Sequence, residues 1–369
     1  MTQTHRENTG TLQRVQRDAL PREDTGTLRN PTVMKWLFLF ASLVAFLIIF
    51  GGFVRLTRSG LSITEWNPIS GTVPPRGEAA WQEEFTKYQA TPEFQQINFD
   101  MTLEEYKYIF YIEWFHRFLA RFAGLVYSVP VFYFLFTKQI PLSDFGIYFL
   151  MGMLFIAQAF AGWIMVASGL VDRPSVSHFN LTVHLLLALT LLGLALWTAF
   201  GHKYGFPEKT RKAKWSLQSK LALISFILLI IQIAYGGMTA GLKAGHVSDT
   251  WPLMLGRLVP PNLFSSFINI LESPQTIVFI HRWFAFAILI AMIALYFAAR
   301  RQSASAEIKA GLNWLLGLVV FQILLGVLTV LLRVHITVAL AHQAGALSLF
   351  ALLIHFIHRL RASDFVQAL

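Results

Sequence analysis

Eight runs of this chain are too long and too apolar to serve as the core of a soluble domain. They lie roughly over 34–54, 109–136, 145–167, 177–200, 217–240, 276–299, 309–331 and 334–358, each at or above the ~20 residues a helix needs to cross a bilayer. Hydrocarbon offers no partner to a backbone N–H or C=O, so such runs have to be helices that satisfy their own hydrogen bonds. Hydrophobic residues make up 55% of the chain and charged residues 14%. A soluble protein of this length could not hide so many uncharged segments, and the expected fold class is an all-α polytopic membrane protein.

The net charge of +10 would suit a nucleic-acid binder, but its distribution argues for topology instead. Arg6, Arg14, Arg17, Arg22, Arg29 and Lys35 precede or open the first run, and Lys203, Lys209, Arg211, Lys212, Lys214 and Lys220 lie between the fourth and fifth. With eight spans, Arg300, Arg301, Lys309, Arg359 and Arg361 fall on the same side. The positive-inside rule then places both termini in the cytoplasm, for a chain in the cell inner membrane, with lipid rather than nucleic acid as its surroundings. The opposite face receives the loops 55–108 and 241–275, the first of them more acidic than basic. The first residues are polar and lack an apolar h-region, so they read as a disordered cytoplasmic tail over 1–33 rather than a cleaved signal. Cysteine is absent, which excludes disulfides, thiolate ligation and iron–sulfur clusters. Redox chemistry has to come from a bound cofactor.

An internal repeat organises the spans. The first ends in GGFVRLTRSGLS (Gly51–Ser62) and the fifth in GGMTAGLKAGHVS (Gly236–Ser248), each followed by a double proline, Pro74-Pro75 and Pro260-Pro261. The second contains EWFHR (Glu113–Arg117) and the sixth VFIHR (Val278–Arg282). Gln158 and Gly162 in the third match Gln322 and Gly326 in the seventh, and His184 and His342 follow in the fourth and eighth. Two pseudo-symmetric four-helix bundles are expected, over 34–200 and 217–358, joined by a cytoplasmic linker at 201–216 and ending in a tail at 359–369. An even number of helices separates the copies, so their symmetry axis should run along the membrane normal.

His116, His184, His281 and His342 each lie about seven residues into a span entering from the loop-bearing face, which puts all four ~10 Å deep. A lone histidine in a membrane helix often does no more than bond a neighbouring helix. Two matched pairs at one depth instead suit two bis-histidine haem sites, one per bundle, with nearby basic residues able to meet the propionates. His5, His202, His246, His355 and His358 fall outside the pattern, and His178 and His335 read as rim residues.

The halves differ where chemistry would show. Glu113 precedes His116 by one helical step on the same face, whereas the matching position before His281 is Val278. A carboxyl at this depth is costly unless paired or used. It can form a salt bridge to Arg117 or Arg121, or it can act beside a haem in the first half while the second half carries electrons. The first outer loop is also the longer. Trp81, Phe85 and Tyr88 mark a short amphipathic helix over the bundle, as a lid or an interfacial anchor, and Thr102 with Glu105 form a capping box that starts the second span above the membrane surface.

The segment GGFVRLTRSGLSITEWNPISGTVPP, the EWFHR motif, the repeated HR and the late AHQAGAL resemble the haem A synthase family, of the alphaproteobacterial and mitochondrial type without a loop cysteine pair. The resemblance covers about residues 34–358. It implies oxidation of the C8 methyl group of haem O to a formyl group by successive hydroxylations, giving haem A for terminal oxidases. It further implies that His116 and His184 flank the substrate haem, that His281 and His342 ligate a permanent haem b, and that Glu113 acts at the substrate methyl. Arg117 and Arg282 become candidate propionate partners, although either can equally hold a helix end. Haem O synthase and cytochrome oxidase assembly factors are the implied partners, with a quinone as one class of electron acceptor. A b-type cytochrome subunit for membrane electron transfer would also need the four histidines but not Glu113 in one half only. A haem transporter or chaperone would use them as transient ligands and yield no modified haem.

Because the chain has no cysteine of its own, single introduced cysteines report topology cleanly. A cysteine near Gly71 or Gly245 should react with a membrane-impermeant thiol reagent in intact cells, and one near Lys209 should not. The reverse pattern would invert the orientation.

Overall fold

The computed structural model describes residues 29–206, 214–301 and 306–366. Of the expected tails and linker, residues 1–28, 207–213 and 367–369 lie outside the described residues. The described chain folds into α1 (Pro31–Leu56), α2 (Glu78–Gln89), α3 (Pro92–Gln96), α4 (Leu103–Phe136), α5 (Phe145–Ala167), α6 (His178–Tyr204), α7 (Leu217–Gly241), α8 (Asn269–Glu272), α9 (Pro274–Arg301), α10 (Ala306–Leu331) and α11 (Ile336–Val366), with no strand among the described residues. α1, α4, α5, α6, α7, α9, α10 and α11 account for the eight membrane-length helices, so the chain is an all-α, multi-pass membrane protein. α4 begins at Leu103 rather than near 109, because Thr102 and Glu105 cap it reciprocally: the Glu105 carboxylate accepts from the Thr102 N–H at 2.8 Å. The last span begins at Ile336 rather than 334, since Arg333 and Val334 take left-handed φ values of 50° and 62° to turn the chain out of α10.

Local chemistry sets the other ends. Asn30 caps α1 by accepting from Thr32 N–H at 2.9 Å and Val33 N–H at 3.1 Å, with Pro31 in the first turn where no N–H is missed. Within α4, Pro130 has no N–H to offer the carbonyl of Val126, four residues earlier. The indole N–H of Trp36 on α1 donates to that carbonyl at 2.7 Å. A proline deep in a spanning helix is thus tolerated because the neighbouring helix supplies the lost donor. Trp36 is held there against Phe134, Tyr127 and Tyr148.

The packing pairs repeat with the sequence. In the first half α6 lies against α1 and α5, and α1 against α4; in the second half α11 lies against α7 and α10, and α7 against α9. The halves meet through α6–α7 and through α1–α11, which are the same contact in the repeat, and through α6–α11, which pairs the two equivalent fourth helices. At the loop-bearing end the Arg55 guanidinium donates to the Ala240 carbonyl, tying α1 to α7.

The long loop is a small folded unit on the projecting turns of α4. Trp81, Phe85 and Tyr88 bury the apolar stripe of α2 against Tyr106, Ile109 and Phe110. Tyr88 stacks on Tyr106 with centroids 5.1 Å apart, and Tyr106 donates to the Ser62 carbonyl at 3.2 Å. Lys87 sits 3.0–3.2 Å from Glu65, Glu83 and Glu84, which raises its pKa and pins α2 to the segment below.

Glu93 is buried beneath this unit, 4% exposed, with the Tyr88 hydroxyl donating to it at 3.3 Å. Burial pushes its carboxyl up to about 7; the Tyr88 bond opposes this, the nearby Glu113 adds to it, and Lys243 and Arg58 oppose it further. An acid whose folded pKa exceeds its unfolded one stabilises the fold at low pH and loses that stability as pH rises from the ordinary ~4.3 toward 7. Cleavage of the 57–102 segment by a non-specific protease, normalised to an unstructured peptide, should therefore be faster above about pH 8 than below about pH 5. Glu93→Gln should flatten that difference, and an unchanged difference would remove Glu93 as its source.

Candidate functional site

Each of the four membrane histidines lies against a glycine on a neighbouring helix. A Cβ added to Gly51 on α1 would stand 3.4 Å from the His116 ring on α4, and one on Gly236 of α7 would stand 3.1 Å from His281 on α9. The corresponding distances are 2.9 Å from Gly162 on α5 to His184 on α6 and 3.1 Å from Gly326 on α10 to His342 on α11. A side chain at Gly162 would force the His184 ring aside and one at Gly236 or Gly326 would press on its imidazole, whereas at Gly51 the first carbon would make ordinary contact; close approach rather than backbone conformation favours glycine at the three tight positions. The second residue of each Gly-Gly pair serves the other half. A Cβ on Gly52 would collide with Gln343, next after His342, and one on Gly237 would stand 3.0 Å from Thr182 and 3.4 Å from Leu185, next after His184. One dipeptide therefore seats a histidine in its own half and the helix carrying a histidine of the other.

The imidazoles are buried without being used up. The Nδ1 atoms of His116, His184, His281 and His342 have no hydrogen-bond partner, a costly state in an apolar medium. His281 and His342 face each other with ring centroids 6.2 Å apart at 85°. Two imidazoles on opposite sides of one metal, at nitrogen–metal bonds of ~2.0–2.1 Å, have centroids spaced about 6 Å apart, so this pair fits an axial pair. His184 lies within electrostatic reach of His116, and Phe50 stacks on the His116 ring at 6.1 Å. Glutamines hold the surrounding helices: Gln322 donates to the His342 carbonyl at 2.7 Å, Gln232 to the His281 carbonyl at 2.8 Å, and the Gln158 amide nitrogen is 3.2 Å from His184 Nε2. Among the described residues no group of three or more His, Cys, Asp or Glu could hold a bare metal ion. Pairs of imidazoles between helices suit a macrocycle that brings its own equatorial ligands.

The arginines of the two His-Arg pairs are loop clamps. Arg117 donates to the carbonyls of Ile63 at 3.0 Å and Glu65 at 3.2 Å. Arg282 donates to the carbonyls of Ser248 at 2.7 Å and Thr250 at 3.1 Å. In the register that aligns Gly51 with Gly236, Ile63 falls on Ser248 and Glu65 on Thr250, so the clamp is one contact made twice. Arg121 holds the Asn67 and Pro68 carbonyls, both at 2.8 Å.

Glu113, 3% exposed, breaks this symmetry. Its carboxylate accepts from Ser62 Oγ at 2.8 Å, the Ile63 N–H at 2.9 Å, and Arg117 at 2.6 and 3.1 Å. Of the two salt bridges expected for it, the one to Arg117 forms and Arg121 is engaged elsewhere. In the second half Val278 takes this position and packs with Ala244, Met254 and Val247, the residue aligned with Ser62. A charged clamp in one copy is an apolar contact in the other. Among the described residues, His178 is 3.0 Å from the Leu271 carbonyl, His202 is 2.8 Å from the Tyr148 hydroxyl, and His355 and His358 pack with Phe200 and Tyr204 at the far end. Glu93 escapes a reading by motif because it lies in a polar loop, and its burial comes only from the folding of α2 over it.

A family model described as cytochrome oxidase assembly protein matches residues 34–354, a span that contains all four glycine–histidine contacts. The chain is 42% identical to the haem A synthase of Wolbachia pipientis wMel over 88% of its own length and 92% of the relative's. The chain belongs to the haem A synthase family. It is likewise 38% identical to the haem A synthase of Flavobacterium johnsoniae (90% and 98% of the two lengths) and 39% identical to that of Parvibaculum lavamentivorans (88% and 93%). The glycines give this family member a direct test. Gly326→Val should displace His342 and strip the low-spin haem signal from the purified protein, while Gly146→Val, at an open position on α5, should leave it intact. Equal spectra for both variants would separate the glycine contact from ligation.

Proposed function

We propose that this chain acts as a haem A synthase, an oxidoreductase that converts the C8 methyl group of haem O to a formyl group through successive hydroxylations. The observation that carries the reading is the pair of matched histidine sites with a single buried carboxylate, Glu113, beside only one of them. In this reading His116 and His184 flank the substrate haem, and His281 and His342 hold a haem b. Haem b, when bound, supplies one-electron transfer to an acceptor for which a membrane quinone is the natural class. Each two-electron oxidation of the methyl carbon also releases two protons, which must leave a site closed to lipid.

In this reading Glu113 serves that task. The carboxylate accepts from Arg117, Ser62 and the Ile63 N–H, and it lies one helical step from His116. A fixed anion there can orient or deprotonate a water or stabilise positive charge growing on the methyl carbon. Arg117 and Arg282 shape each haem pocket chiefly through the loops they hold. The basic loops argue for cytoplasmic termini in an inner membrane, with the histidines near the opposite face. Haem O synthase would deliver the substrate, and oxidase assembly factors would receive the product. The unequal halves favour this reading over a b-type electron carrier, which needs no charge in one copy alone; a haem transporter or chaperone could share the asymmetry and differs in yielding no modified haem.

Glu113→Gln keeps the size and one acceptor of the carboxylate but removes its charge. It should leave the low-spin spectrum of the second-half haem in place while cells accumulate haem O or a partly oxidised haem instead of haem A, as read by extraction and mass spectrometry. Near-normal haem A would reduce Glu113 to the partner of Arg117 that holds the loop.

A further inference from the structure

Cations crowd the loop-facing ends of α1 and α7, where the two halves meet. Arg58 and Lys243 are equivalent in the repeat, each the first residue beyond the helix cap and each in the left-handed region, with φ of 55° and 53°. That conformation is uncommon for a residue with a side chain, and it is adopted twice. Arg55, one turn inside α1, is fixed between them by its bond to the Ala240 carbonyl. Their backbone N–H groups close the helix ends, on the carbonyls of Arg55 and Ala240, but neither the Arg58 guanidinium nor the Lys243 ammonium has a hydrogen bond or ion pair among the described residues. Like charges are gathered here at a cost: burial and repulsion from Arg58 and Arg55 hold Lys243 below the usual amine range, and His246 is lowered by burial and by the same three cations. The acid in reach is Glu93, pushed up to about 7 by its own burial, which makes it a weak counter-ion at neutral pH.

Depth gives the cluster a purpose. Gly51 and Gly236 touch His116 and His281, and from them the chain runs four residues to Arg55 and seven to Arg58 and Lys243. At 1.5 Å per residue Arg55 stands ~6 Å toward the loop face from the level of the imidazoles, and Arg58 and Lys243 stand ~10 Å, at the same height in the two halves. That is the reach of a porphyrin's carboxylates from its iron. We propose that Arg55, Arg58 and Lys243 form one shared cationic collar that binds the propionates of both porphyrins, the substrate in the first half and the resident haem in the second. The inference rests on the haem reading above and adds what that reading does not contain: the carboxylate-binding residues are common to both sites and lie on the helices that join the halves. A bound substrate would then change the charge felt by the resident haem without touching it.

The test uses the full-length purified protein and two probes, ferric haem and its dimethyl ester, which has the same macrocycle without carboxylates. Wild type should bind haem about tenfold or more tightly than the ester. In the Arg58→Gln/Lys243→Gln double variant the two affinities should converge, and the midpoint potential of the resident low-spin haem should move when the two charges are removed. Lys243→Arg should keep the wild-type preference, and helical circular dichroism and elution volume should match wild type throughout. A preference for haem that persists in the double variant overturns the collar. So does a double variant whose only change is weaker retention of anionic lipid, which would make the cluster a headgroup site. A wild type that binds both porphyrins equally refutes the collar and leaves the haem sites standing, whereas one that binds neither and carries no haem refutes both.

Discussion

Everything distinctive in this structure depends on an imidazole pressed against a glycine. A histidine inside a bilayer is expensive, and one with an unpartnered ring nitrogen more so. The fold accepts that cost four times, at His116, His184, His281 and His342, and in each case a neighbouring helix gives up its side chain to make room. Because the first glycine of each Gly-Gly pair serves its own half and the second serves the other, the two sites cannot be assembled independently. The same few residues set the distance between helices within a bundle and between bundles.

A second constraint comes from the loop side. Arg117 and Arg282 draw the first turns of their outer loops down onto the helices that carry His116 and His281, using the same two backbone carbonyls in each copy. With that frame held in common, the Glu113–Ser62 pair can be exchanged for Val278 beside Val247 without altering the chain path. The repeat gives two equivalent histidine pairs, and a polar-for-apolar exchange at one buried contact makes their surroundings unequal. The long loop then folds as a separate layer, with its own aromatic core, over the copy that keeps the charge.

Much of this was legible in the residues. The apolar runs located all eight spans, and the Thr102–Glu105 pair announced the start of α4 more accurately than hydropathy, which placed it near 109. The stripe of Trp81, Phe85 and Tyr88 was recognisable as a helix face, but not the surface it would bury. Other features had no local signature. Pro130 looks like a defect until Trp36, far away in the chain, is seen to bond the carbonyl it frees. Glu93 looks like any loop acid until the fold removes its water.

By itself the sequence determined what lipid and repetition dictate. Spanning segments must be helices because backbone groups have no other partner there, and the matched series of Gly-Gly, His-Arg, Gln and lone His marks helices whose packing pairs repeat between the halves. It could name the buried carboxylate and both candidate partners, yet it could not choose between Arg117 and Arg121. Tertiary structure made that choice, because the path of the loop after Ser62 determines which guanidinium reaches Glu113 and which is taken by the Asn67 and Pro68 carbonyls. It also decided that the two His-Arg arginines hold loops, and that Arg58 and Lys243, far apart in the chain, come together at the junction of the halves. Periodicity reports which face a side chain occupies, but a hydrogen bond between distant segments depends on positions in space that no local pattern encodes.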